Sequence, residues 1–572
     1  MININNIMQT YAPNSSGWRK NLLQLALKIF LHEKQFIEFD EKFPYLHGMA
    51  SIEQILDYFQ IKCETNLSEL ENIPTEGPVV FAANHPIGSL DGLALLKTIA
   101  FVRPDVKIVA NRILSHLKPL KDVFIAIDNM GAQANRQQIT EIQAHLKENG
   151  ALIVFPSGEV SRLGIQGVRD RQWSSGFLRL AAKVQAPIVP IHVHGRNSTF
   201  FYLASLIVKP LSTYLLVDEM FKQKGKNIRL RIGERISNAH KLKLSSARLA
   251  EQFRRHIYLL GKGKNGCLVG EPPIALPQNR AVLKAAVESC EMLGHMSDGK
   301  LIYLHRAGKD ETPSPILYEL GRLREVAFRA VGEGSRRRLD LDKYDEDYYH
   351  LLLWDPQMLE IIGAYRFIPT AEQIRRKGLE GLYSYSLFNY GEEMSPVLEQ
   401  GIELGRSFIQ PKYWGKRGLD YLWQGIGAYL ARHPEYRYLF GPVSISSALP
   451  QEARDLLVSF YRSYFTPKTP AATSRCPYPE LPDGQTFNSD YEEGFSILKN
   501  MLSEMGCNIP TLYKQYTDFC EPGGVQFMDF GIDPEFNNCV DGLVVVDITT
   551  IKPARYQRYI APFLQTEMKL AG

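Results

Sequence analysis

The chain has 572 residues, a formal net charge of +4, 45% hydrophobic residues and 22% charged residues. Because one hydrophobic core rarely serves so long a chain, two globular domains are expected. The mild charge gives no indication of a nucleic-acid-binding protein. Seven dispersed cysteines without a CxxC pair argue against a disulfide framework or a structural zinc site, and they favour a reducing compartment.

Two apolar segments lie in the first half of the chain, at residues 21–36 and 199–216. Their composition fits core helices and fits equally well helices that lie on a membrane surface. No apolar run reaches the roughly 18 uninterrupted residues that a membrane span needs, so no transmembrane helix is predicted. The polar N-terminus contains no signal-peptide core.

Short β-branched segments alternate with helical patterns through the first half of the chain. An amphipathic helix is predicted at residues 134–150. Buried strands are predicted at residues 78–84, 105–111, 122–128, 150–156 and 186–195. This order predicts an α/β domain that places its chemistry at the ends of the strands.

A segment rich in Gly, Lys and Pro, residues 263–279, is the predicted linker. It separates an N-terminal domain, residues 1–262, from a C-terminal domain, residues 280–572. The second domain contains a Pro-rich stretch, residues 467–484, that is predicted to be a surface loop.

Further elements are predicted in the second domain from hydrophobic patterning. Strands are predicted at residues 359–367 and 402–410, and a helix is predicted at residues 419–433. The alternating sequence DGLVVVDI, residues 541–548, predicts one more strand, to which no chemistry is assigned.

The sequence ANHPIGSLDG directly follows the first predicted strand and contains His85 and Asp91. A histidine beside a carboxylate is an arrangement for a general base. His85 would take a proton from an alcohol, while Asp91 would orient the imidazole and stabilise its charged form.

A second loop at a strand end, FPSGEVSR, contains Gly158, Glu159 and Arg162. Arg169 and Arg171 follow it closely. Guanidinium groups suit a carboxylate or phosphate headgroup, and the alternative for each arginine is a solvated surface charge.

These motifs resemble the glycerolipid acyltransferase superfamily, typified by the lysophosphatidate acyltransferases. FIAIDN, FPSGEVSR and IVPIHVHG match its later motifs in order, over roughly residues 20 to 260. NHPIGSLD has five residues between His and Asp where the family has four, and Ser157 replaces the usual Glu. The resemblance implies acyl transfer to a hydroxyl with His85 as base, while His192 and His194 are interpreted as structural.

In the second domain, the strand at residues 402–410 leads through the basic loop PKYWGKRG into the predicted helix. Free backbone N–H groups at a helix start, aided by the helix dipole, bind phosphate groups. The pattern therefore predicts a site for a pyrophosphate or a phosphopantetheine phosphate, and its residues are Lys412, Gly415, Lys416, Arg417 and Gly418.

The second domain resembles the GNAT N-acyltransferase superfamily, and within it the acyl-homoserine-lactone synthases and ornithine N-acyltransferases, which use acyl carrier protein. The resemblance implies that Glu403 is the base for an incoming amine. It implies a substrate pocket that contains Arg324, Phe328, Asp342, Asp345, Arg366 and Arg406. The alternative is that the charged residues among them, with Glu403, form a structural ion-pair network.

Together the two halves resemble the bifunctional ornithine lipid synthases, which pair a glycerolipid-acyltransferase-type α/β domain with a GNAT-like α+β domain. The resemblance implies N-acylation of ornithine by a 3-hydroxyacyl group from acyl carrier protein. The new hydroxyl is then esterified with a fatty acyl group. Acyl carrier protein is the implied partner and its thioester the co-substrate, with no permanent cofactor, no metal and no nucleic acid. The implied location is peripheral, on the inner face of the bacterial cytoplasmic membrane.

Three alternatives stay open. In the first, the head group is another amino acid, such as glycine or lysine. In the second, the chain is a lysophospholipid acyltransferase whose GNAT-like domain has another function. The third alternative is a non-catalytic membrane scaffold, against which His85, Asp91 and Glu403 argue because each lies within its motif.

Overall fold

The structure is a computed structural model that describes residues 32–111, 118–127, 136–164, 167–202, 211–237, 239, 244–307, 314–479, 487 and 490–564. The chain divides into two compact units, Met1–Leu276 and Pro277–Gly572. Each unit contains a large central β-sheet of its own. None of the helices in these described ranges is long and apolar enough to cross a membrane.

The first unit is built around a seven-stranded sheet with the order β1-β9-β8-β2-β5-β3-β4. All neighbouring strands are parallel except β8 and β9. The nine strands of the unit, of which β6 and β7 form a separate hairpin, are β1 Lys62–Glu64, β2 Val79–Ala83, β3 Lys107–Asn111, β4 Phe124–Ile127, β5 Ala151–Val154, β6 Arg162–Gly164, β7 Gly167–Arg169, β8 Ile188–His194 and β9 Asn227–Ile232.

Helices cover both faces of this sheet. Strand β2 is buried throughout, and its successive residues pack alternately into the two hydrophobic cores on either side of the sheet. The helices are α1 Glu33–Lys42, α2 Gly48–Tyr58, α3 Leu67–Leu70, α4 Ser89–Ala100, α5 Arg136–Lys147, α6 Gly176–Lys183, α7 Leu211–Lys222 and α8 Ser246–Leu260.

The second unit contains an eight-stranded sheet with the order β10-β11-β12-β13-β15-β16-β19-β18. It is antiparallel except for the pair β15 and β16, which is parallel. The strands of the unit are β10 Glu291–His295, β11 Leu301–Arg306, β12 Tyr349–Asp355, β13 Glu360–Pro369, β14 Phe388–Tyr390, β15 Gly401–Ile409, β16 Tyr438–Ile445, β17 Ala472–Ser474, β18 Val525–Asp533 and β19 Cys539–Asp547.

Helices pack on both faces of the second sheet as well. They are α9 Arg280–Glu288, α10 Pro315–Ala330, α11 Thr370–Lys377, α12 Ser395–Glu399, α13 Gly418–Arg432, α14 Gln451–Phe465, α15 Tyr491–Glu504, α16 Thr511–Thr517 and α17 Pro553–Tyr559. The largest hydrophobic core lies on one face of the sheet, where residues of α13 and α14 pack against it. The predicted two-domain fold class, α/β followed by GNAT-like α+β, is confirmed.

The predicted strands and helices are present with ends that differ by one to three residues. The predicted surface loop at residues 467–484 is wrong in part, because Ala472–Ser474 forms β17, which pairs with β14. Ala471 and Ala472 are buried there. Because prolines are tolerated at the edges of sheets, a Pro-rich stretch can still contain a short strand. Residues 480–486 of this stretch lie outside the described residues, as do most of segment 21–36 and the centre of segment 199–216.

Candidate active sites

The first site lies where β2 ends and α4 begins. Asp91, in the first turn of α4, accepts the backbone N–H groups of Ile87 at 2.8 Å and Gly88 at 3.1 Å through its Oδ2 atom. Gly88 adopts φ 122°, a conformation that favours glycine, so the turn can close on the carboxylate. The helix start therefore fixes Asp91 before any substrate is present.

His85 is held against this carboxylate. Its Nδ1 atom lies 3.1 Å from Asp91 Oδ2, and its ring stacks on Phe155 with 4.0 Å between the ring centroids. Asp91 is fully buried, whereas 18% of the His85 side chain is exposed. With Nδ1 donating to Asp91, the Nε2 atom is the nitrogen that can accept a proton from a substrate.

A third residue, which the sequence analysis missed, ties the two loops of this site together. Asp170 Oδ1 accepts the His85 backbone N–H at 3.2 Å and the Ser161 hydroxyl at 2.5 Å. Its other oxygen accepts Trp173 Nε1–H at 3.0 Å, and the Ser161 backbone N–H donates to the His85 carbonyl at 2.7 Å. Burial raises the pKa of the Asp170 carboxyl despite these hydrogen bonds.

The loop FPSGEVSR turns beside His85 and forms a small charged cluster. Gly158 donates its backbone N–H to the Phe155 carbonyl at 3.0 Å. Glu159 lies 3.7 Å from Arg162 Nε and 3.6 Å from Arg171 Nε, so it partly neutralises both guanidinium groups. The Arg171 side chain is 53% exposed, as the surface-charge alternative expects.

Two other predicted features of this unit have clear surroundings. The Arg169 guanidinium lies over the Tyr258 ring, 5.0 Å from its centroid. Burial, with the neighbouring His194, lowers the pKa of His192 to about 3, so its imidazole is neutral at physiological pH. A buried neutral histidine agrees with the structural interpretation of this residue.

The second site lies at a gap in the C-terminal sheet. Strands β15 and β16 pair only from Gly401 with Tyr438 to Glu403 with Phe440, although both strands continue for five or six further residues. Parallel strands that separate leave backbone N–H and C=O groups of both edges open to a ligand. The sheet therefore contains a V-shaped cleft with Glu403 at its closed end.

Glu403 is fully buried and lies in a cage of hydrogen-bond donors. Its Oε1 atom accepts the Ser384 backbone N–H at 2.5 Å, and its Oε2 atom accepts the Tyr383 N–H at 3.2 Å and the Tyr348 hydroxyl. Burial raises the pKa of the carboxyl, and these donors counteract the shift only in part. A raised pKa makes the carboxylate a stronger proton acceptor.

Buried arginines and aspartates beside Glu403 form an ion-pair network, as the alternative interpretation of these residues predicts. Glu403 itself is not part of this network. The pairs are Arg324–Asp345 at 2.7 Å, Arg366–Asp342 at 2.6 Å, Arg366–Asp345 at 3.0 Å, Arg406–Asp340 at 3.4 Å and Arg406–Asp342 at 3.6 Å. Although burial opposes ionisation, Arg324 and Arg366 hold the pKa of Asp345 well below its usual range. Asp340 is a member that the sequence analysis missed.

The network is incompletely satisfied. Arg366 is fully buried, yet its Nε and Nη2 atoms have no hydrogen-bond partner among the described residues. The same holds for the Oδ2 atoms of Asp340 and Asp342. Buried charged groups with unfilled hydrogen-bonding positions are costly unless a ligand completes them.

Phe328 lies behind this network and does not form part of its hydrogen bonds. Its ring packs against Phe536 with 5.1 Å between centroids, and the Phe536 ring lies 4.9 Å from the Arg406 guanidinium carbon. Phe328 therefore shapes the apolar wall that supports Arg406.

The basic loop before α13 lines an open cavity of about 480 Å³ together with Lys300. The predicted residues Lys412, Lys416, Arg417 and Gly418 all line it, and Gly415 lies between them in the loop. Lys412 pairs with Glu360 at 2.7 Å and Lys300 with Asp355 at 2.7 Å.

Lys416 and the helix start are the anion-binding features of this cavity. The Lys416 ammonium lies over the Tyr413 ring and has no acidic partner among the described residues. The 15-residue helix α13 begins at Gly418, where its first backbone N–H groups face the loop. Lys416 and the helix start are features that favour an anion such as phosphate, although Asp298, Asp355 and Glu360 also line the cavity.

Two family models match this chain. Residues 26–266 match an acyltransferase family, and residues 323–424 match the acetyltransferase (GNAT) domain. These matches and the two folds define an enzyme that transfers acyl groups. Its N-terminal domain is an acyltransferase domain and its C-terminal domain is a GNAT domain, as the resemblance of the sequence implied.

Relatives that are named as acyltransferases each match less than half of the chain. A glycine N(alpha)-acyltransferase of Phocaeicola vulgatus is 28% identical over 267 residues, which are 44% of this chain and 81% of that protein. A lyso-glycine lipid O-acyltransferase of Bacteroides thetaiotaomicron is 28% identical over 243 residues, 41% of this chain and 88% of that protein. An L-ornithine N(alpha)-acyltransferase of Rhizobium meliloti is 30% identical over 181 residues, 30% of this chain and 60% of that protein.

Proposed function

We propose that this chain makes a diacylated amino lipid in two acyl transfers. The C-terminal domain forms an amide between an amino acid and a 3-hydroxyacyl group. The N-terminal domain then esterifies the hydroxyl of that group. The observation that supports this most directly is the presence in one chain of a His–Asp base for a hydroxyl and a buried carboxylate at a sheet cleft. The names of the relatives, an N(alpha)-acyltransferase and a lyso-lipid O-acyltransferase, support it as well.

In the amide-forming step, the amine nitrogen attacks the carbonyl carbon of the acyl thioester. The C–N bond forms, the C–S bond breaks, and the thiolate leaves with a proton. Glu403 is the proposed acceptor of the ammonium proton, and the Tyr348 hydroxyl that contacts it links it to the cleft. Positioning of the two reactants in the cleft accounts for much of the rate.

The incompletely satisfied network supports an amino acid as the acceptor. The Nε and Nη2 atoms of Arg366, which have no hydrogen-bond partner among the described residues, would hold an α-carboxylate through paired hydrogen bonds. The Oδ2 atoms of Asp340 and Asp342 are ion-paired with Arg406 but accept no hydrogen bond among the described residues, and they would accept N–H groups of an ammonium. A zwitterion placed here would satisfy groups of both signs.

The donor is proposed to be an acyl carrier protein that presents its phosphopantetheine thioester. Its phosphate would lie at the start of α13 beside Lys416 and Arg417, and the acidic carrier surface would face the same basic loop. The pantetheine arm, which contains amide groups, would then extend into the cleft between β15 and β16.

In the ester-forming step, His85 Nε2 takes the proton of the 3-hydroxyl as the oxygen attacks a second thioester. The C–O bond forms and the C–S bond breaks, and the imidazolium then protonates the leaving thiolate. Asp91, fixed by two backbone N–H groups, stabilises the imidazolium during this transfer. Because the product is a lipid, we propose that the protein lies peripherally on the inner face of the cytoplasmic membrane.

Ornithine is the proposed head group. Glycine is the second candidate, because a relative named glycine N(alpha)-acyltransferase is covered over 81% of its length, against 60% for a relative named L-ornithine N(alpha)-acyltransferase. Ornithine and glycine would undergo the same reaction at the α-amine.

The test is an assay of the purified chain with 3-hydroxyacyl carrier protein and labelled ornithine. The proposal predicts a labelled lyso-lipid that becomes diacylated when a second acyl carrier thioester is added. Acylation of lysophosphatidate, with no lipid formed from an amino acid, would contradict it.

A further inference from the structure

The C-terminal site contains more carboxylates than its arginines can neutralise. Arg324, Arg366 and Arg406 are balanced by Asp340, Asp342 and Asp345. Four further buried or half-buried acids surround them, and none lies within ion-pair distance of a lysine or arginine in the part of the chain that the structure describes: Glu333, Glu403, Asp533 and Asp541.

Two of these four acids are satisfied without a cation. Glu403 is held by Tyr348 and two backbone N–H groups. Asp533 accepts the Tyr383 hydroxyl at 3.1 Å and the backbone N–H groups of Glu535 and Phe536. Glu333 and Asp541 therefore stand out as the two acids for which the described residues show neither an ion pair nor such a set of hydrogen-bond donors.

Asp541 lies deep in the sheet, in the segment to which the sequence analysis assigned no chemistry. It pairs with Ser444 of β16, a strand that forms one wall of the cleft. The residue is 3% exposed, and its Oδ1 atom has no hydrogen-bond partner among the described residues. Burial and the nearby Asp533 raise the pKa of its carboxyl to about 7.

Glu333 lies in a loop that is tied to the turn before β19, the strand that contains Asp541. Asn537, in the turn between β18 and β19, donates its side-chain N–H to the Gly332 carbonyl at 2.7 Å. A Cβ on Gly332 would lie 2.5 Å from the Ala448 Cβ, so the backbone beside Glu333 is closely packed. Burial and the field of Asp541 raise the pKa of Glu333 to about 8.

We infer that Glu333 and Asp541 bind a second ammonium group on the amino acid acceptor and so select a diamino acid over one with an uncharged side chain. This inference rests on the proposed function. Arg406, the cation whose field reaches both acids, already faces Asp340 and Asp342. A ligand ammonium would supply the missing positive charge and fill the open position on Asp541.

The chemistry of the pair also explains why two acids are needed. A primary ammonium has three N–H donors, which two carboxylates can accept from different directions. Burial and the field of neighbouring acids both disfavour ionisation of these carboxylates, and a bound cation would favour it. Glycine has no group that could fill this place, and a hydrocarbon side chain would leave both acids without a partner.

The experiment compares ornithine with 2-aminopentanoate, which is ornithine without its terminal amino group, as acceptors for the purified full chain. The selectivity, the ratio of kcat/KM for the two amino acids, is measured for the wild type, Glu333→Gln, Glu333→Lys and Asp541→Asn. Glu504→Gln, an exposed change in α15, is the matched control. Thermal unfolding establishes that each variant is folded, and the Glu333 variants decide the outcome if Asp541→Asn is unstable.

The inference predicts that the wild type prefers ornithine and that each site variant lowers the selectivity by about 10- to 100-fold. The control should keep the wild-type selectivity. A wild type with no preference would overturn the inference, as would folded variants that keep the preference, and in both cases the proposed function would stand. A wild type that acylates glycine but not ornithine would overturn this inference alone, and one that acylates none of the three amino acids would overturn the proposed function as well.

Discussion

Glu403 and Phe440 are the last facing residues of β15 and β16 before the two strands separate. The carboxylate therefore lies where the backbone of the sheet first becomes accessible to an extended ligand. A thioester bound along the open strand edges would bring its reacting carbon toward this point. The position of Glu403 in the fold thus agrees with a role in proton transfer during amide formation.

Replacing Glu403 with Gln should lower amide formation by about 100-fold or more, because a neutral amide cannot accept the ammonium proton. The rate of N-acylation by single-turnover assay checks this. Glu399→Gln, an exposed change at the end of α12, should have no effect. An unchanged rate in Glu403→Gln would assign the residue to structural support of Tyr348 and Ser384.

Replacing Tyr348 with Phe should weaken N-acylation less than loss of Glu403, since the carboxylate keeps its backbone donors from Tyr383 and Ser384. We expect a decrease of about 10-fold in kcat, of the size that loss of one hydrogen bond to a charged group produces. The measurement is kcat at saturating acceptor. A variant as slow as Glu403→Gln would instead make Tyr348 an equal participant in proton transfer.

Replacing His85 with Ala should block ester formation and leave amide formation intact, because the two proposed bases, His85 and Glu403, belong to separate domains. The mono-acylated lyso-lipid should accumulate, and O-acylation should fall by about 10²- to 10⁴-fold. Lipid extracts separated by mass give both quantities. His47→Ala, an exposed histidine of the same unit, is the control, and full diacyl product from His85→Ala would refute the assignment.

Charge reversal at Lys416 or Arg417 should raise KM for the acyl donor about 10-fold with little change in kcat. Both side chains line the cavity at the start of α13 and are remote from the Glu403 cage. Kinetics with varied acyl carrier thioester at fixed amino acid separate the two constants. Lys499→Glu on α15 controls for net charge, and an equal effect there would remove the specific role of the loop.

Acceptor affinity should depend on pH because of the raised pKa values of Glu333 and Asp541, about 8 and about 7. Both acids bind an ammonium only when deprotonated, so KM for ornithine should fall as pH rises through this range. KM for 2-aminopentanoate should not. The titratable groups that face the pair are Asp533, Cys539, Arg406, Tyr383 and Tyr513. A flat KM for ornithine would contradict this linkage.

Local features were predictable from the sequence. His85 and Asp91 are six residues apart in a strand–turn–helix segment, so their contact follows from local backbone geometry. Several strands of the first sheet, such as β2 and β5, were predictable because buried strands form continuous apolar runs, whereas strands such as β9 and β16 were not predicted.

Long-range features were not predictable from local patterns. Asp170 meets the His85 backbone across 85 residues, and its sequence neighbours Arg169 and Arg171 favour the interpretation of a surface charge cluster. Asp541 lies in an alternating strand pattern that predicts a solvent-facing position for an acid, yet the residue is buried in the sheet. Only the tertiary fold brings such residues to a site.

The central claim is that one chain performs both acylations on an amino acid. The most direct measurement is mass spectrometry of lipids from a host that lacks amino lipids and expresses the wild-type chain. The account predicts a new lipid that yields ornithine, one amide-linked 3-hydroxy acid and one ester-linked acid on hydrolysis. A host whose only change is in the acyl chains of its phospholipids would contradict it.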